Sequence, residues 1–406
     1  MGEPSFDIIL YGATGFTGRL VAVYLRDHAP EGVRWAIAGR NTDKLKAVAE
    51  AEGLDVPLVR ADSADDASLD AMAAQTRVVI TTVGPYARYG EPLVAACARL
   101  GTDYVDLTGE TPWARDMIDR YHDTAKANGA RITHFCGYDS VPSEVGALGL
   151  VRHFRDRHGQ ATGHVQGLLG GKGGVSGGTL HSMMDMAESG EIRRLARPFL
   201  LNPEGDIPEE VKARSRNLTS VRFDPDLGAW TAPFLMAAIN TRAVRRSAAL
   251  HAALGHPYGP LFSYNEAALL GRSAGRLQAT MSAAGLGALT AMTSSPLGRK
   301  LLARLGPDPG EGPAKDAREK GWTRGLFYGT AEDGRRARLS FFGKGDPGYK
   351  FTSLLISQCA LALVLDRDAL VGGPDHGGVL TPASAIGSVL IERLERAGVE
   401  IKVEDL

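Results

Sequence analysis

Short apolar runs alternate with helical-period segments over residues 6–136. Ile8, Ile9 and Leu10 form a buried-strand run, after which Leu20, Val21, Tyr24 and Leu25 recur at helical spacing. Five further strand-like runs follow: "RWAIAGR" (34–40), "VPLVRAD" (56–62), "RVVITTVGP" (77–85), "DYVDLTGE" (103–110) and "RITHFCG" (131–137). Helices are expected between them at 43–52, 66–74, 91–100 and 113–128. Parallel neighbours need a crossover, and crossover helices cover both faces of the sheet. The expected class is therefore α/β, with an N-terminal doubly wound parallel sheet over 1–140.

Past residue 140 the rhythm stops. A helix, "SEVGALGLVRHF", ends in a basic turn, and a glycine-rich stretch follows at 164–183. Alternating runs at 164–170, 218–223, 324–330 and 335–343 are expected to form a second sheet. Residues 261–305 read as one or two helices with small residues on their faces, inserted in a second domain spanning 141–376. A glycine- and proline-dense loop occupies 306–322. The closing 377–406 reads as a capped amphipathic helix and a short strand that pack back on the first domain.

Composition narrows the class further. The chain has 406 residues, 44% apolar and 23% charged, enough for two ordinary globular cores. A formal net charge of −1 gives no global field for nucleic acid. Cys97, Cys136 and Cys359 lack paired or metal-type spacing and read as buried apolar side chains in a reducing compartment. Strand β-type residues begin at once, without a basic leader, and no run of about 18 apolar residues occurs, so a cytoplasmic address is expected. The Arg and Lys residues at both ends of 261–305 leave a second reading, peripheral contact with a membrane surface, beside that of a packed helical insertion. The ten histidines include no H-x-x-x-H or H-E-x-x-H pair, and no metal is expected.

The chemistry starts at Gly12, Gly15 and Gly18, spaced G-x-x-G-x-x-G between the first strand and its helix. A diphosphate demands such a turn: a sharp bend, close backbone approach and helix N–H groups aimed at negative charge. In the NAD form of this arrangement a carboxylate closes the second strand. Here Arg40 stands there, and a guanidinium suits a 2′-phosphate, so NADPH is expected over NADH. Asp62 follows the third strand near the adenine edge. Gly84 and Pro85 end the fourth as a tight wall where the nicotinamide runs, with Tyr86 beside the reacting ring or packed at a helix start.

The segments "YGATGFTGRLVAVYL", "AGRNTDKL", "TTVGPYARYGEPLVAACARLGTDYVDLTGE" and "GYDSVPSEVG" resemble the saccharopine dehydrogenase-like NADP-binding oxidoreductases. "SGGTLHSM", "PGEGPAKDAREKGW", "DPGYKFTSLL" and "GGVLTPASAIGSVLIERL" resemble the branch of that family containing the trans-acting enoyl reductases. The resemblance implies a Rossmann domain, a second α+β domain on a mixed sheet, a homodimer, and reduction by NADPH of a C=C bond in a lipophilic acyl or polyketide-type intermediate. An acyl-carrier contact would accompany such a substrate. By position, Gly12, Thr14, Gly15, Phe16 and Gly18 correspond to the dinucleotide turn, and Tyr104, Asp106, Gly109 and Glu110 to the family's fifth-strand signature. No paired-arginine site for an amino-diacid is evident, a departure from the saccharopine reductases.

Such a reduction needs a grip on the conjugated carbonyl and a proton source. Tyr138 is the first choice, since a phenol serves in either role. Ser176, in "GGVSGGT", presents backbone N–H groups or a bare turn; Lys172 polarises a carbonyl or is a solvated surface lysine. Asp139 reads better as a turn former before Val141-Pro142. His181, Tyr349 and Lys350 are further candidates, the last two equally ordinary strand residues. A C=N or C=O reductase on the same scaffold, and a non-catalytic NADP-binding partner protein, are the alternatives.

Overall fold

The computed structural model describes residues 4–173, 177–225, 227–270, 275–305 and 312–406. Six strands of the N-terminal part form a parallel sheet: β1 (Phe6–Tyr11), β2 (Trp35–Gly39), β3 (Leu58–Arg60), β4 (Thr76–Thr81), β5 (Asp103–Val105) and β6 (Arg131–Thr133). A second sheet takes β7 (Thr162–Lys172), β8 (Arg222–Asp224), β9 (Ala229–Ala232), β10 (Ser263–Leu269), β11 (Trp322–Ala331) and β12 (Arg336–Lys344). The chain then returns to the first sheet with β13 (Gly378–Leu380) and ends on the second with β14 (Glu400–Asp405).

In space the first sheet runs β13-β6-β5-β4-β1-β2-β3 and is parallel throughout. The strand order reverses between β1 and β4, which places a crevice at their carboxyl ends. The second sheet runs β14-β12-β11-β7-β10-β9-β8 and is mixed, with β7 and β10 parallel. The doubly wound sheet and the mixed second sheet both follow the expected class.

Three boundaries differ from the sequence reading. The end of the chain does not simply pack back on the first domain: β14 pairs with β12, Val403 opposite Leu339 and Ile401 opposite Phe341. Its period-2 pattern has one apolar face, which suits the edge of a half-covered sheet and not a sheet buried on both sides. Asp405 fixes that edge, 2.6 Å from His153 Nε2 and 3.0 Å from His158 Nε2. Residues 263–269, read as helix, are instead β10 between β7 and β9; among the described residues of that interval, Arg276–Ser294 and Pro296–Leu305 are helical. And "DPGYKFTS" is no strand: Pro347–Phe351 is a wide helical turn leading into the helix Thr352–Leu365.

That last helix is apolar all round. The stretch Pro347–Leu365 has a mean hydropathy of 1.4, long and apolar enough to cross a membrane, yet 78% of it is buried. It contacts the helix Phe16–His28, β4 and β5 on one side and the helix Ser388–Arg396 on the other, so it covers one face of the first sheet. The helix Val141–His158 covers the second sheet. A Cβ on Gly146 would lie 2.4 Å from the Phe327 ring and one on Gly149 2.4 Å from Leu339, so these glycines let the helix sit directly on β11 and β12.

Candidate functional site

The glycine turn bends as a diphosphate requires. Gly12 has φ +95°, and a Cβ on Gly18 would stand 2.2 Å from the Gly12 carbonyl oxygen, so the turn closes on itself only with glycine at both positions. Gly15 N donates to Gly12 O at 3.0 Å and caps the helix Phe16–His28. No side chain caps that helix and no acid occupies its first turn, which leaves its N–H groups free for an anion. Thr14 lies half-buried in the same turn.

Gly15, Phe16 and Gly18 form one wall of a cavity of about 800 Å³. Gly84, Pro85 and Tyr86 form the next wall. The Tyr86 hydroxyl is already engaged, donating to Thr81 O at 3.2 Å and accepting from Leu107 N at 3.1 Å, so the ring, not the phenol, is what the cavity meets. Above the turn, Asp346 accepts from Tyr349 N and Lys350 N and holds the 347–351 turn so that Tyr349 meets the Phe16 ring edge-on at 4.8 Å. Arg318 lies over the other part of Phe16, 5.0 Å from its centroid.

Arg40 and Asp62 stand away from this cavity, at the carboxyl ends of β2 and β3. Both bear on the Tyr11 hydroxyl, Asp62 raising and Arg40 lowering its pKa, after the larger effect of burial. Arg40 is exposed and has no ion-pair partner among the described residues, while the Asp62 carboxylate accepts from Ala64 N at 3.1 Å. A guanidinium with no internal partner beside a dinucleotide turn is available to an external phosphate.

The fifth-strand signature proves to be a support. Asp106, fully buried, lies 2.6 Å from His134 Nδ1 and accepts from the Tyr104 hydroxyl at 2.9 Å and from the backbone N–H of Thr108 and Phe135. Phe135 is held at φ +68°, a conformation side chains resist, in the segment that leads to Gly137 and Asp139 on the cavity wall. Glu110 accepts from Tyr86 N at 2.9 Å, Ala87 N at 2.7 Å and Ser182 Oγ at 2.8 Å, tying the 84–87 loop to the helix Gly177–Glu188. Burial pushes its carboxyl up.

Of the catalytic candidates Tyr138, Lys172 and Ser176, the two that are described, Tyr138 and Lys172, do not line the cavity. The Tyr138 ring packs on the apolar core and is absent from the cavity wall; burial pushes its phenol up. Lys172 is exposed at the end of β7, opposite Trp322. Ser176 lies outside the described residues. The residue passed over is Asp139. Its carboxylate lines the cavity, with Oδ2 3.7 Å from where a Cβ on Gly109 would stand. It has no hydrogen-bond partner among the described residues, and it caps nothing, since Ser140 holds the N-cap of the next helix. Burial alone raises its pKa to about 7. His181 also faces the cavity; its Nδ1 donates to Gly177 O at 2.8 Å, so a neutral ring turns an acceptor Nε2 outward.

Much of the remaining lining is apolar, including Ile192, Leu195, Phe234, Met236 and Ile239. Arg88 is the one cation among the described lining residues, and Asp185 neutralises it at 2.8 Å.

Residues 8–132 match the family model described as the saccharopine dehydrogenase NADP binding domain. A Mycobacterium tuberculosis (strain H37Rv) protein named provisionally as a trans-acting enoyl reductase is 44% identical over 424 residues, covering 99% of this chain and 98% of its own length. The trans-acting enoyl reductase of Mycobacterium bovis (strain BCG Pasteur) is 41% identical, covering 98% and 97%. Among solved structures, apo saccharopine dehydrogenase (L-Glu forming) of Saccharomyces cerevisiae shares the fold, with a TM-score of 0.53 at 15% identity over 99% of this chain and all of that one.

Proposed function

The chain belongs to the trans-acting enoyl reductase family, and on that premise we propose that it is an NADPH-dependent reductase of a conjugated C=C bond in a lipophilic acyl or polyketide-type intermediate. The observation that carries this is the cavity: a glycine-turn wall, largely apolar sides, and the carboxyl group of Asp139, which has no hydrogen-bond partner among the described residues.

The residues suit the cofactor. The uncapped helix start and the bare backbone of Gly12–Gly18 would hold the pyrophosphate, Arg40 the 2′-phosphate, and the Gly84–Tyr86 wall the nicotinamide. NADPH, when bound, supplies the hydride. Asp139 holds the proton destined for the α-carbon, and its raised pKa keeps a substantial share protonated near neutral pH. The apolar sides exclude water and position the acyl chain. An amino-diacid would need cations for its carboxylates, and Arg88 is already paired, which weighs against the C=N alternative. The relatives are called trans-acting, and we take the substrate here to arrive on a separate acyl carrier. A homodimer is the assembly the family likeness implies, and a cytoplasmic address is what the sequence reading supports.

Two measurements bear on this reading. Following nicotinamide absorbance with NADPH and matched enoyl thioester, imine and ketone substrates should show turnover with the enoyl compound alone. Turnover with only the imine or ketone would move the reaction to the alternative class, and silence with all three would favour a binding protein. Arg40→Ala should lower the preference for NADPH over NADH by about ten- to a hundredfold, the worth of a charge-assisted contact. An unchanged preference in a titration of both cofactors would remove Arg40 from the site.

A further inference from the structure

The helices Arg276–Ser294 and Pro296–Leu305 form a hairpin with opposed faces. At 3.6 residues per turn, Ala279, Leu286, Thr290 and Thr293 share one face of the first helix. Ala279 and Thr293 are buried, and Leu286, Thr290 and Thr293 line the cavity. Leu277, Met281, Ala284, Ala288 and Ala291, at alternating steps of four and three, share the opposite face, and all five are exposed. Leu277 is 75% and Met281 66% exposed; Leu297 and Leu301 on the second helix are 81% and 48% exposed. Four of the ten exposed large apolar side chains among the described residues thus fall within 276–305, a concentration that single scattered leucines do not explain.

Charge selects what covers this face. Residues 276–305 carry Arg276, Arg299, Lys300 and Arg304 and no acidic residue, in a chain whose net charge is −1. Arg276 lies 5.7 Å from the Trp230 ring, and Trp230 meets the exposed Phe223 at 5.6 Å, adding aromatic side chains of the kind that settle at headgroup depth. A second copy of the chain would bring the same cations together across a two-fold axis, where they repel. An anionic bilayer supplies both the apolar phase and the counter-charge.

We propose that this hairpin docks the protein on an anionic membrane surface. Its outer face rests at the boundary of headgroups and acyl chains, while its inner face walls the cavity. The docking depends on no step of the reduction, so it stands or fails separately from the enoyl reductase reading.

Vesicle co-sedimentation of the full chain tests it, with phosphatidylcholine vesicles with and without phosphatidylglycerol. The protein should bind the anionic vesicles and be released as salt shortens the Debye length. Leu277→Glu with Met281→Glu should cut the bound fraction about tenfold, with the melting temperature and NADPH oxidation on a soluble enoyl thioester unchanged. Equal binding to both vesicle compositions, or none to either at low salt, overturns the proposal without recourse to any variant. So does a double variant that binds as wild type. If the double variant instead converts a dimer to a monomer in light scattering, the face belongs to a second copy and the proposal fails.

Discussion

Gly18→Ala should lower NADPH affinity at least a hundredfold, a loss of about 2.7 kcal/mol or more, in a fluorescence titration of the reduced nicotinamide. The new Cβ would lie 2.2 Å from Gly12 O and 2.9 Å from Ala13 Cα, both backbone atoms that cannot rotate away. The helix Phe16–His28 must move outward, and with it the N–H groups that meet the pyrophosphate. The hydrogen bond from Gly15 N to Gly12 O is strained at the same time. Because the turn also anchors β1 to its helix, the melting temperature of the free protein should fall too. Gly15→Ala separates the two effects. Its Cβ meets only Gly12 O at 3.4 Å, and Gly15 has φ −75°, so the fold should tolerate alanine. The same methyl would project where the phosphates approach, and affinity should drop with no change in melting temperature. Wild-type affinity in both variants would mean that the dinucleotide binds elsewhere.

The turn was legible because its demands are local: strand, glycines and helix are contiguous, and each glycine has a steric reason. The strand order of the first sheet was legible for a similar reason, since each crossover constrains its neighbours. Contributions from afar were not. β13 and the helix Thr352–Leu365 complete the first sheet from more than two hundred residues downstream of β6, and no pattern within them names their partner. Arg242, Arg245 and Arg246 make the point for charge. On a helix they look like a solvated face, yet all three are buried. Arg245 donates to Pro198 O and Tyr264 O, Arg246 to Leu201 O, and Arg242 Nε to Arg197 O. Burial lowers Arg242 to about 10 and Arg245 and Arg246 to about 9. Their acceptors are main-chain carbonyls, which carry no sequence signal. Asp139 shows the same limit: an aspartate shortly before Val-Pro is a common turn former and does lie in a turn here, while no local signal says that Gly109, Gly137 and Ile239 line the same cavity as it does.

Asp139→Asn should therefore reduce kcat by about 10²- to 10⁴-fold, the usual worth of a positioned general acid, with NADPH affinity kept within a few-fold. The pH profile carries the sharper expectation. With a pKa of about 7, the wild-type carboxyl is protonated below that value and loses its proton above it, so the rate should fall about tenfold per pH unit on the alkaline side. The amide cannot titrate, and that limb should vanish from the residual activity. Stability should move in the opposite sense. The folded pKa stands above the ordinary value of about 3.9, so ionising Asp139 costs the native state more than the unfolded one. That cost is absent below about pH 4, grows as the pH rises to about 7, and is constant beyond. Asparagine never incurs it. The variant should melt a few degrees above wild type at pH 8, by a margin of roughly 1 °C per kcal/mol for a chain of 406 residues, and the gap should close as the pH falls to 4. A residue that merely braced the 137–139 loop would lose stability on substitution and leave the alkaline limb in place. An Asn variant with wild-type kcat would show that the proton reaches the α-carbon by another route.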